Sequence, residues 1–403
     1  MTNGLDRSSV LRIIHSIARA RAREAFLPGK ITPLADLPEF ARRDIADAVI
    51  RFFTLEKHPL TVAPGSDYAT WAEAVHAACA ANGWTFTFHT SGSTGEPCPH
   101  IYALDVFVEE ARALVPYFTD RKRIVSVMPH HHTLGFAFAI VLPPLLGIPA
   151  LDLPPLPSAE FFRELAPGDL VLAFPVFWKS FLDIAQGPFP ITCPPDIHGV
   201  SSAAPCPPEV IEGLLALRET EKHPVCAAMT EVYGATEFGS IGIRQACREP
   251  YTLLAFWERR PLECADNEDA WGITRRDWPV SPLPDTATWH GERGFTPLRR
   301  KDKAVQIGGV NVFPARVADL LRTHPGVADC AVRLMRPEEG ARLKAFIVPR
   351  SADADTAVFT GELRRWLAAR LEPAATPKSF RFGDGLPLTP SGKLADWDIR
   401  NME

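Results

Sequence analysis

The stretch between Trp84 and Cys98 constrains the fold of this chain more than any other. It begins with an alternation of aromatic and β-branched side chains that is typical of a strand, over Trp84–His89. A loop with two glycines and four hydroxyl residues follows: Thr90, Ser91, Gly92, Ser93, Thr94 and Gly95. Backbone N–H and side-chain O–H groups of such a loop can converge on one point and bind phosphate oxygens. The loop is not a Walker sequence, and taken alone it is equally compatible with a Ser/Gly surface turn.

Length and charge limit the classes of protein to which the chain can belong. Its 403 residues exceed the roughly 250–300 at which single cores stop growing, so more than one domain is expected. With 43 basic and 48 acidic residues, the net charge of −5 is far from that of a nucleic-acid-binding protein. The eight cysteines form no CxxC pair and predict reduced thiols in a cytoplasmic protein. We expect neither a signal peptide nor a membrane span, because residues 1–9 are polar and the longest apolar run, 136–153, contains three prolines.

Strand-like and helix-like segments alternate through the middle of the chain. The strand-like runs are 170–174, 197–201 and 225–229, and the helical stretches between them are 177–185 and 208–220. Such alternation is typical of βα units. The sequence therefore predicts an α/β fold with a mainly parallel sheet.

Three consecutive histidines follow a strand predicted at 123–128: His130, His131 and His132. Adjacent residues on an extended chain point to opposite sides, and zinc sites normally draw their ligands from separated positions. The pattern therefore disfavours a metal site. For His132, a buried core histidine is one interpretation, and a residue of a binding pocket is the other.

Several motifs, in the order found here, resemble those of the adenylate-forming superfamily, which includes acyl-CoA synthetases, peptide-synthetase adenylation domains and luciferases. Thr90–Pro97 resembles the phosphate loop of this family, and Cys98 stands where the family usually has a lysine. Tyr233–Glu237 is similar to the family's Tyr-Gly-x-Thr-Glu. The resemblance covers the chain from about residue 84 to its end.

The resemblance implies an acyl pocket that is built from three segments. Pro129–Gly135 resembles the motif Pro-x-x-His-x-x-Gly, in which His132 would lie at the floor of the pocket. Ser201–Pro205 resembles Ser-Gly-Gly-Ala-Pro, with serine and alanine in place of the two glycines. Amino-acid-activating relatives place an aspartate at the position of Thr133, so a substrate without an α-amino group is predicted. The residues implied to line the pocket are His132, Thr133, Ala203, Ala204, Gly234 and Ala235.

The resemblance also implies a site for ATP and Mg²⁺. A hydroxyl is needed to hold a phosphate oxygen and a carboxylate to hold the metal ion, and Thr236 and Glu237 supply them. Tyr233 offers a face on which adenine can stack. Asp285 and Arg300, fifteen positions apart, would bind the ribose hydroxyls. The residues implied to bind ATP are Thr90 to Gly95, Tyr233, Gly234, Thr236, Asp285 and Arg300.

The same resemblance divides the chain into two domains. Asp302 lies where the family places its hinge, which separates an N-terminal domain, 1–301, from a C-terminal lid, 302–403. Apolar residues at helical spacing predict that residues 1–83 are mostly helical. The resemblance implies that this part is shorter than is usual in the family. The lid is expected to be small, mobile and of the α+β class. Its segment Pro387–Lys393 resembles the family's final motif, whose lysine reaches into the active site.

The predicted activity is that of an acid–thiol ligase. A carboxylic acid and ATP would form an acyl-adenylate, and the acyl group would then pass to a thiol. The catalytic residues would be Lys393, Thr236 and Glu237, with Lys393 neutralising the charge that develops between the carboxylate and the α-phosphate.

The short stand-alone form resembles ligases that load aromatic acids, such as hydroxybenzoates, onto acyl carrier proteins in aryl-polyene pigment pathways. The acceptor is therefore predicted to be a carrier protein, with free coenzyme A as the alternative. Two other classes stay open from the residues themselves. They are a nucleotide-binding protein without catalysis and a phosphotransferase with a Gly/Ser loop.

Overall fold

A computed structural model describes residues 4–21, 31–57, 67–90, 98–187, 193–220, 223–262, 271–300, 304–308, 310–336, 338–351, 355–388 and 394–399. The contacts between residues divide the chain into two compact units. The first unit contains Met1–Thr90 and Cys98–Arg299, and the second contains Arg300–Glu403. Each unit has a hydrophobic core of its own.

The described helices lie mainly in the first unit. They are α1 (Arg7–Arg21), α2 (Glu39–Phe52), α3 (Tyr68–Asn82), α4 (Leu104–Leu114), α5 (Thr133–Phe136), α6 (Leu142–Leu146), α7 (Ala159–Glu164), α8 (Pro175–Ala185), α9 (Pro208–Ala216), α10 (Pro314–Arg322) and α11 (Thr356–Ala368). A π-helical turn, Ala137–Val141, joins α5 to α6. Within the described ranges, no helix is both long enough and apolar enough to cross a membrane.

The described strands form one large sheet and several small ones. They are β1 (Thr85–Thr90), β2 (Cys98–Ala103), β3 (Arg123–Ser126), β4 (Ala150–Asp152), β5 (Asp169–Ala173), β6 (Ile197–Ser201), β7 (Arg218–Thr220), β8 (His223–Pro224), β9 (Cys226–Ala235), β10 (Gly239–Arg244), β11 (Tyr251–Leu253), β12 (Glu258–Pro261), β13 (Trp271–Thr274), β14 (Ser281–Pro282), β15 (Asp285–His290), β16 (Gly294–Arg300), β17 (Val305–Ile307), β18 (Val310–Val312), β19 (Val327–Leu334), β20 (Leu343–Pro349) and β21 (Ser379–Phe382).

The large sheet has nine strands in the order β15-β16-β11-β10-β9-β6-β5-β3-β4. The half formed by β4, β3, β5, β6 and β9 is parallel. The predicted α/β class is confirmed, but the sheet is more mixed than a mainly parallel one. The reason is that β9 continues to Ala235 and turns directly back into β10 as an antiparallel hairpin.

Both faces of the parallel strands are covered. Ile124 and Leu170 belong to one hydrophobic core, whereas their neighbours Val125 and Val171 belong to the other. This follows from the period of two along a strand, which places alternate side chains on opposite faces. Helices α1 to α4 cover the first face and α7 to α9 the second, as is usual for parallel strands with apolar side chains on both sides.

The second unit has two small sheets and two helices among its described residues. One sheet has the order β19-β20-β21, with an antiparallel pair and a parallel pair, and the other is the antiparallel pair of β17 and β18. Leu321 of α10 and Leu363 of α11 are fully buried in its core, together with Cys330 and Ile347 of the sheet. The unit is thus of the α+β kind.

Candidate active site

The parallel strands of the large sheet end at one edge. Ser126 pairs with Leu172, Ala173 with Ser201, and Ser201 with Glu231. The segments that follow β3, β6 and β9 therefore emerge together, and they carry the histidine motif, the Ser-Ser-Ala-Ala-Pro turn and the Thr-Glu motif. The chain passes from β3 to β4 on one side of β3 and returns to β5 on the other. In open α/β sheets, ligands bind in the crevice at such a reversal of strand order, which identifies this edge as the candidate site.

Two glycines shape the turn between β9 and β10, which carries Thr236 and Glu237. The pairing brings Gly234 opposite Ser240, and a Cβ on Gly234 would lie 2.4 Å from the carbonyl oxygen of Gly239. Gly239 has a φ of +74°, which residues with a Cβ rarely adopt. Neither glycine can be replaced without a backbone shift. The hydroxyl of Thr236 and the carboxylate of Glu237 are thus held at a defined turn, where both side chains are half-buried.

Tyr102 joins this turn to β2, the strand that follows the glycine-rich loop. Its hydroxyl donates a hydrogen bond to the carbonyl oxygen of Thr236 at 2.8 Å. Burial raises the pKa of Tyr102, and the negative charge of Glu237 raises it further. The sequence contains no motif that singles out Tyr102.

Replacing Tyr102 by phenylalanine should raise the KM for ATP by about threefold to tenfold, since the carbonyl of the half-buried Thr236 loses its donor and the turn is held less firmly. The measurement is ATP–pyrophosphate exchange over a range of ATP concentrations. Tyr117→Phe, which removes a half-buried hydroxyl elsewhere in the same unit, is the matched control. Equal KM values in Tyr102→Phe and the unaltered protein would contradict this role.

A buried carboxyl group, that of Glu110 in α4, lies beneath the same turn. It is fully buried, and a Cβ on Gly239 would approach Oε2 of Glu110 to 2.5 Å. Burial raises the pKa of Glu110 to about 7, while Ser240 and the charge of Arg275 act in the opposite direction. The turn therefore packs directly on a buried carboxyl group.

Two residues predicted to bind the nucleoside lie in contact. The hydroxyl of Tyr233 donates a hydrogen bond to Oδ2 of Asp285 at 3.0 Å. The ring of Tyr233 also packs on Phe295, with 5.3 Å between ring centroids. Asp285 begins β15, and its neighbour in the sheet, β16, ends at Arg300. The sheet thus places β15, which carries Asp285, beside β16, which carries Arg300, the other residue predicted to bind the ribose.

In the turn after β6, alanine replaces a glycine of the family motif at a position where the backbone favours glycine. Ala203 has a φ of +71°, in the left-handed region that favours glycine, and this costs about 1–3 kcal/mol for a residue with a Cβ. The hydroxyl of Ser202 donates to the carbonyl oxygen of Val232 at 2.6 Å and ties the turn to β9. Ala203 and Ala204 are both half-buried beside the site.

The three histidines differ in their surroundings. His130 is buried, His131 is half-buried, and His132 is exposed at the start of α5. The rings of His131 and His132 pack with 4.8 Å between their centroids. Because His132 is exposed, its interpretation as a buried core histidine is wrong. The buried histidine is His130. Over the described part of the chain, no cluster of three or more His, Cys, Asp or Glu side chains could hold a metal ion.

The residues on either side of the predicted Lys393 loop are anchored within the second unit. Leu388 and Leu394 form an antiparallel bridge. The fully buried Nζ of Lys344 donates to the carbonyl oxygen of Trp397 at 2.6 Å. The C-terminal end of the loop is therefore tied to β20, and the N-terminal end is joined to it through the bridge between Leu388 and Leu394.

Some predicted site residues lie outside the described residues: Ser91, Gly92, Ser93, Thr94, Gly95, Asp302 and Lys393. The structure describes Thr90 and Arg300 only as strand residues, without their side chains. Roles for these residues stay predictions.

Comparison with known proteins agrees with the motifs. The profile of the AMP-binding enzyme C-terminal domain matches residues 316–393. The chain is 39% identical to a 4-coumarate–CoA ligase of Halorhodospira halophila over 310 residues, which are 76% of this chain and 74% of that protein. It is also 39% identical to a 4-coumarate–CoA ligase of Rhodobacter capsulatus over 317 residues, which are 77% of this chain and 75% of that protein.

Solved structures share the fold at lower sequence identity. An amide bond synthetase from Marinactinospora thermotolerans aligns with a TM-score of 0.62 at 16% identity, over 96% of this chain and 92% of that one. A malonyl-CoA ligase in complex with methylmalonyl-CoA and AMP aligns with a TM-score of 0.58 at 22% identity, over 75% of this chain and 71% of that one.

Proposed function

Since the chain belongs to the adenylate-forming acid–thiol ligases, we propose that it activates an aromatic acid of the hydroxycinnamate class and transfers it to coenzyme A. The observation that carries this proposal is the 39% identity to 4-coumarate–CoA ligases over about three quarters of both chains. In the first step, a carboxylate oxygen would form a bond to the α-phosphorus of ATP while the bond to the β-phosphate oxygen breaks. In the second, the thiolate sulfur would bond to the acyl carbon and AMP would leave.

The described residues fit a nucleotide and a hard cation. Thr236 and Glu237 offer hydroxyl and carboxylate oxygens at one turn, which are ligand types that Mg²⁺ prefers. When bound there, the ion supplies charge neutralisation on the phosphate oxygens. Tyr233, already oriented by Asp285, would form one wall of the adenine site. The Thr90–Gly95 loop would hold the phosphates.

The acyl site is assigned to the residues at the carboxyl ends of β3, β6 and β9. His132 and Thr133 would form one side of it, and Ala203, Ala204, Gly234 and Ala235 the other. The side chains of Ala203 and Ala204 are small, which leaves room for a flat ring. Thr133, the first residue of α5, carries no charge that could pair with an α-ammonium group.

Coenzyme A is favoured over an acyl carrier protein as the acceptor because the matched ligases are named for it. The carrier-protein acceptor and the hydroxybenzoate substrate that the sequence predicts are kept as arms of the test. The two rival classes, a protein without catalysis and a phosphotransferase, lose their support now that the family is shown.

We expect ATP–pyrophosphate exchange to be fastest with 4-hydroxycinnamate in a panel that includes cinnamate, 4-hydroxybenzoate and tyrosine. Tyrosine keeps the hydroxyphenyl ring, adds the α-amino group and lacks the double bond, so 3-(4-hydroxyphenyl)propanoate, which differs from tyrosine only by the amino group, is its matched control. Thioester formation would then be followed with coenzyme A and with a phosphopantetheinylated carrier protein. Faster exchange with tyrosine than with 4-hydroxycinnamate would refute the acyl-site assignment, and a product formed only on the carrier protein would replace coenzyme A as acceptor.

A further inference from the structure

The side chain of Ser16, on helix α1, contacts the histidine segment. Oγ of Ser16 accepts a hydrogen bond from the backbone N–H of His130 at 2.9 Å. The same oxygen lies 3.0 Å from Nδ1 of His131. One hydroxyl group therefore touches two consecutive residues of the segment that leads to His132 and Thr133.

Either tautomer of the His131 ring can make this hydrogen bond, because the Ser16 oxygen, which accepts from His130, has a second lone pair and an O–H proton. We expect the tautomer in which the Ser16 O–H donates to Nδ1 of His131. A neutral imidazole that accepts at Nδ1 carries its own proton on Nε2. Crowding by protein atoms lowers the pKa of His131 well below its usual range, and the neighbouring histidines lower it further, so the ring is neutral.

Arg12 lies one turn before Ser16 on α1 and contacts the π-helical turn that follows the histidine segment. Its Nη1 donates to the carbonyl oxygen of Ala139 at 2.7 Å, within the π-helical turn. The residues four and five positions after Ala139 are Pro143 and Pro144, which have no N–H to donate. Arg12 thus supplies a donor that the helix itself lacks, and the carbonyl group is paired despite being buried.

The carboxylate of Asp152 contacts both Arg12 and His130. Nε of Arg12 donates to Oδ2 of Asp152 at 2.8 Å, and Nε2 of the buried His130 lies 3.0 Å from Oδ1 of the same group. Burial opposes the ionisation of Asp152, but its contacts with Arg12 and His130 hold its pKa below the usual range. The end of β4, the histidine segment and α1 are therefore joined by one charged cluster.

We propose that Ser16 and Arg12 are positioning residues that hold the histidine segment in place and thereby set the affinity for the aromatic part of the acid substrate. This inference rests on the proposed function, in which His132 and Thr133 form one side of the acyl site. It gives the N-terminal helix a part in substrate recognition that no motif in the sequence indicates. Neither residue touches ATP in this scheme, so the effect is confined to the acid.

The test is Ser16→Ala, assayed by pyrophosphate exchange with the best acid of the panel. The KM for the acid should rise about tenfold, as expected for the loss of the contacts of one hydroxyl group, while the KM for ATP stays within about twofold. Ser16→Thr keeps the hydroxyl group and should restore most of the affinity. Ser8→Ala removes a hydroxyl from the exposed start of the same helix, where its described contact is with Asp6, and should change neither constant.

The outcomes separate this inference from the proposed function. If the unaltered protein gives no exchange with any aromatic acid, the proposed function fails. If it is active and Ser16→Ala behaves like it, or raises both KM values together with a lower melting temperature, the positioning role fails alone.

The tautomer can be observed directly. With ¹⁵N-labelled histidine, the ring of His131, assigned through a His131→Phe variant, should show a protonated Nε2 and an unprotonated Nδ1. In Ser16→Ala the ring should become a mixture of tautomers. An unchanged spectrum in Ser16→Ala would show that the serine does not orient the ring, and this would overturn the inference.

Discussion

Glu237→Gln should slow acyl-adenylate formation by about 10²-fold or more, the loss expected when one preorganised charge is removed from a transition state in which charge develops. The substitution keeps the shape of the side chain but removes the negative charge that Mg²⁺ requires of its ligand. Because Gly234 and Gly239 fix the turn, the glutamine should occupy the same place. The loss should therefore reflect charge rather than a change in backbone. The measurement is the rate of pyrophosphate exchange as a function of the Mg²⁺ concentration.

The control for this substitution is Glu249→Gln, which neutralises an exposed carboxylate of the same unit. It should exchange pyrophosphate at the rate of the unaltered protein. The variant at Glu237 should also require more Mg²⁺ for half-maximal exchange. If both variants kept full activity at low Mg²⁺, Glu237 would have no part in holding the ion.

Much of this site could be predicted because its residues lie in short, contiguous motifs. The Thr-Glu motif follows a strand, and the structure indeed ends β9 at Ala235, immediately before Thr236. The histidine segment and the Ser-Ser-Ala-Ala-Pro turn likewise follow strands β3 and β6. The sequence placed these motifs in one site only through the resemblance to the family, and the structure adds that the parallel strands before them end at one edge of the sheet.

Contacts across the fold could not be predicted in this way. Tyr102 and Thr236 are 134 positions apart, and only the packing of the β1–β2 hairpin brings them together.

The sequence gives a weak indication that Glu110 has a special role. It lies on the buried stripe of α4 between Phe107 and Leu114, where a charged residue is unusual and indicates a special environment. Burial alone does not reveal which turn such a residue supports.

The N-terminal helices show a second limit of prediction from sequence. The spacing of apolar residues predicts α1, and the structure has it at Arg7–Arg21. Its inner face buries Ile13 and Ile14, as the spacing requires. The contacts of Ser16 and Arg12 depend on which segment lies against the helix, and this is decided by the sheet order rather than by the helix itself.

Adenylate formation and thioester formation are expected to respond most differently to substitutions in the second unit. Lys393→Ala should lower pyrophosphate exchange by about 10²-fold or more, because one charge contact to the developing transition state is lost. It should still convert a supplied acyl-adenylate to the thioester. Lys378→Ala, which removes an exposed lysine from the same unit, is the matched control and should keep both activities.

The opposite variant tests why these steps separate. We propose that Lys393 and the acceptor thiol use the same space beside the acyl carbonyl, one after the other. The lid would then take two positions, with a few junction residues absorbing the change in φ and ψ. Asp302 is the proposed junction, and Asp302→Pro would fix its φ near about −65° and restrict the residue before it. This variant should form the adenylate yet transfer it poorly. Two assays on each variant, pyrophosphate exchange and thioester formation from synthetic acyl-adenylate, decide the matter. Equal loss of both steps in both variants would mean that one position of the lid serves both reactions.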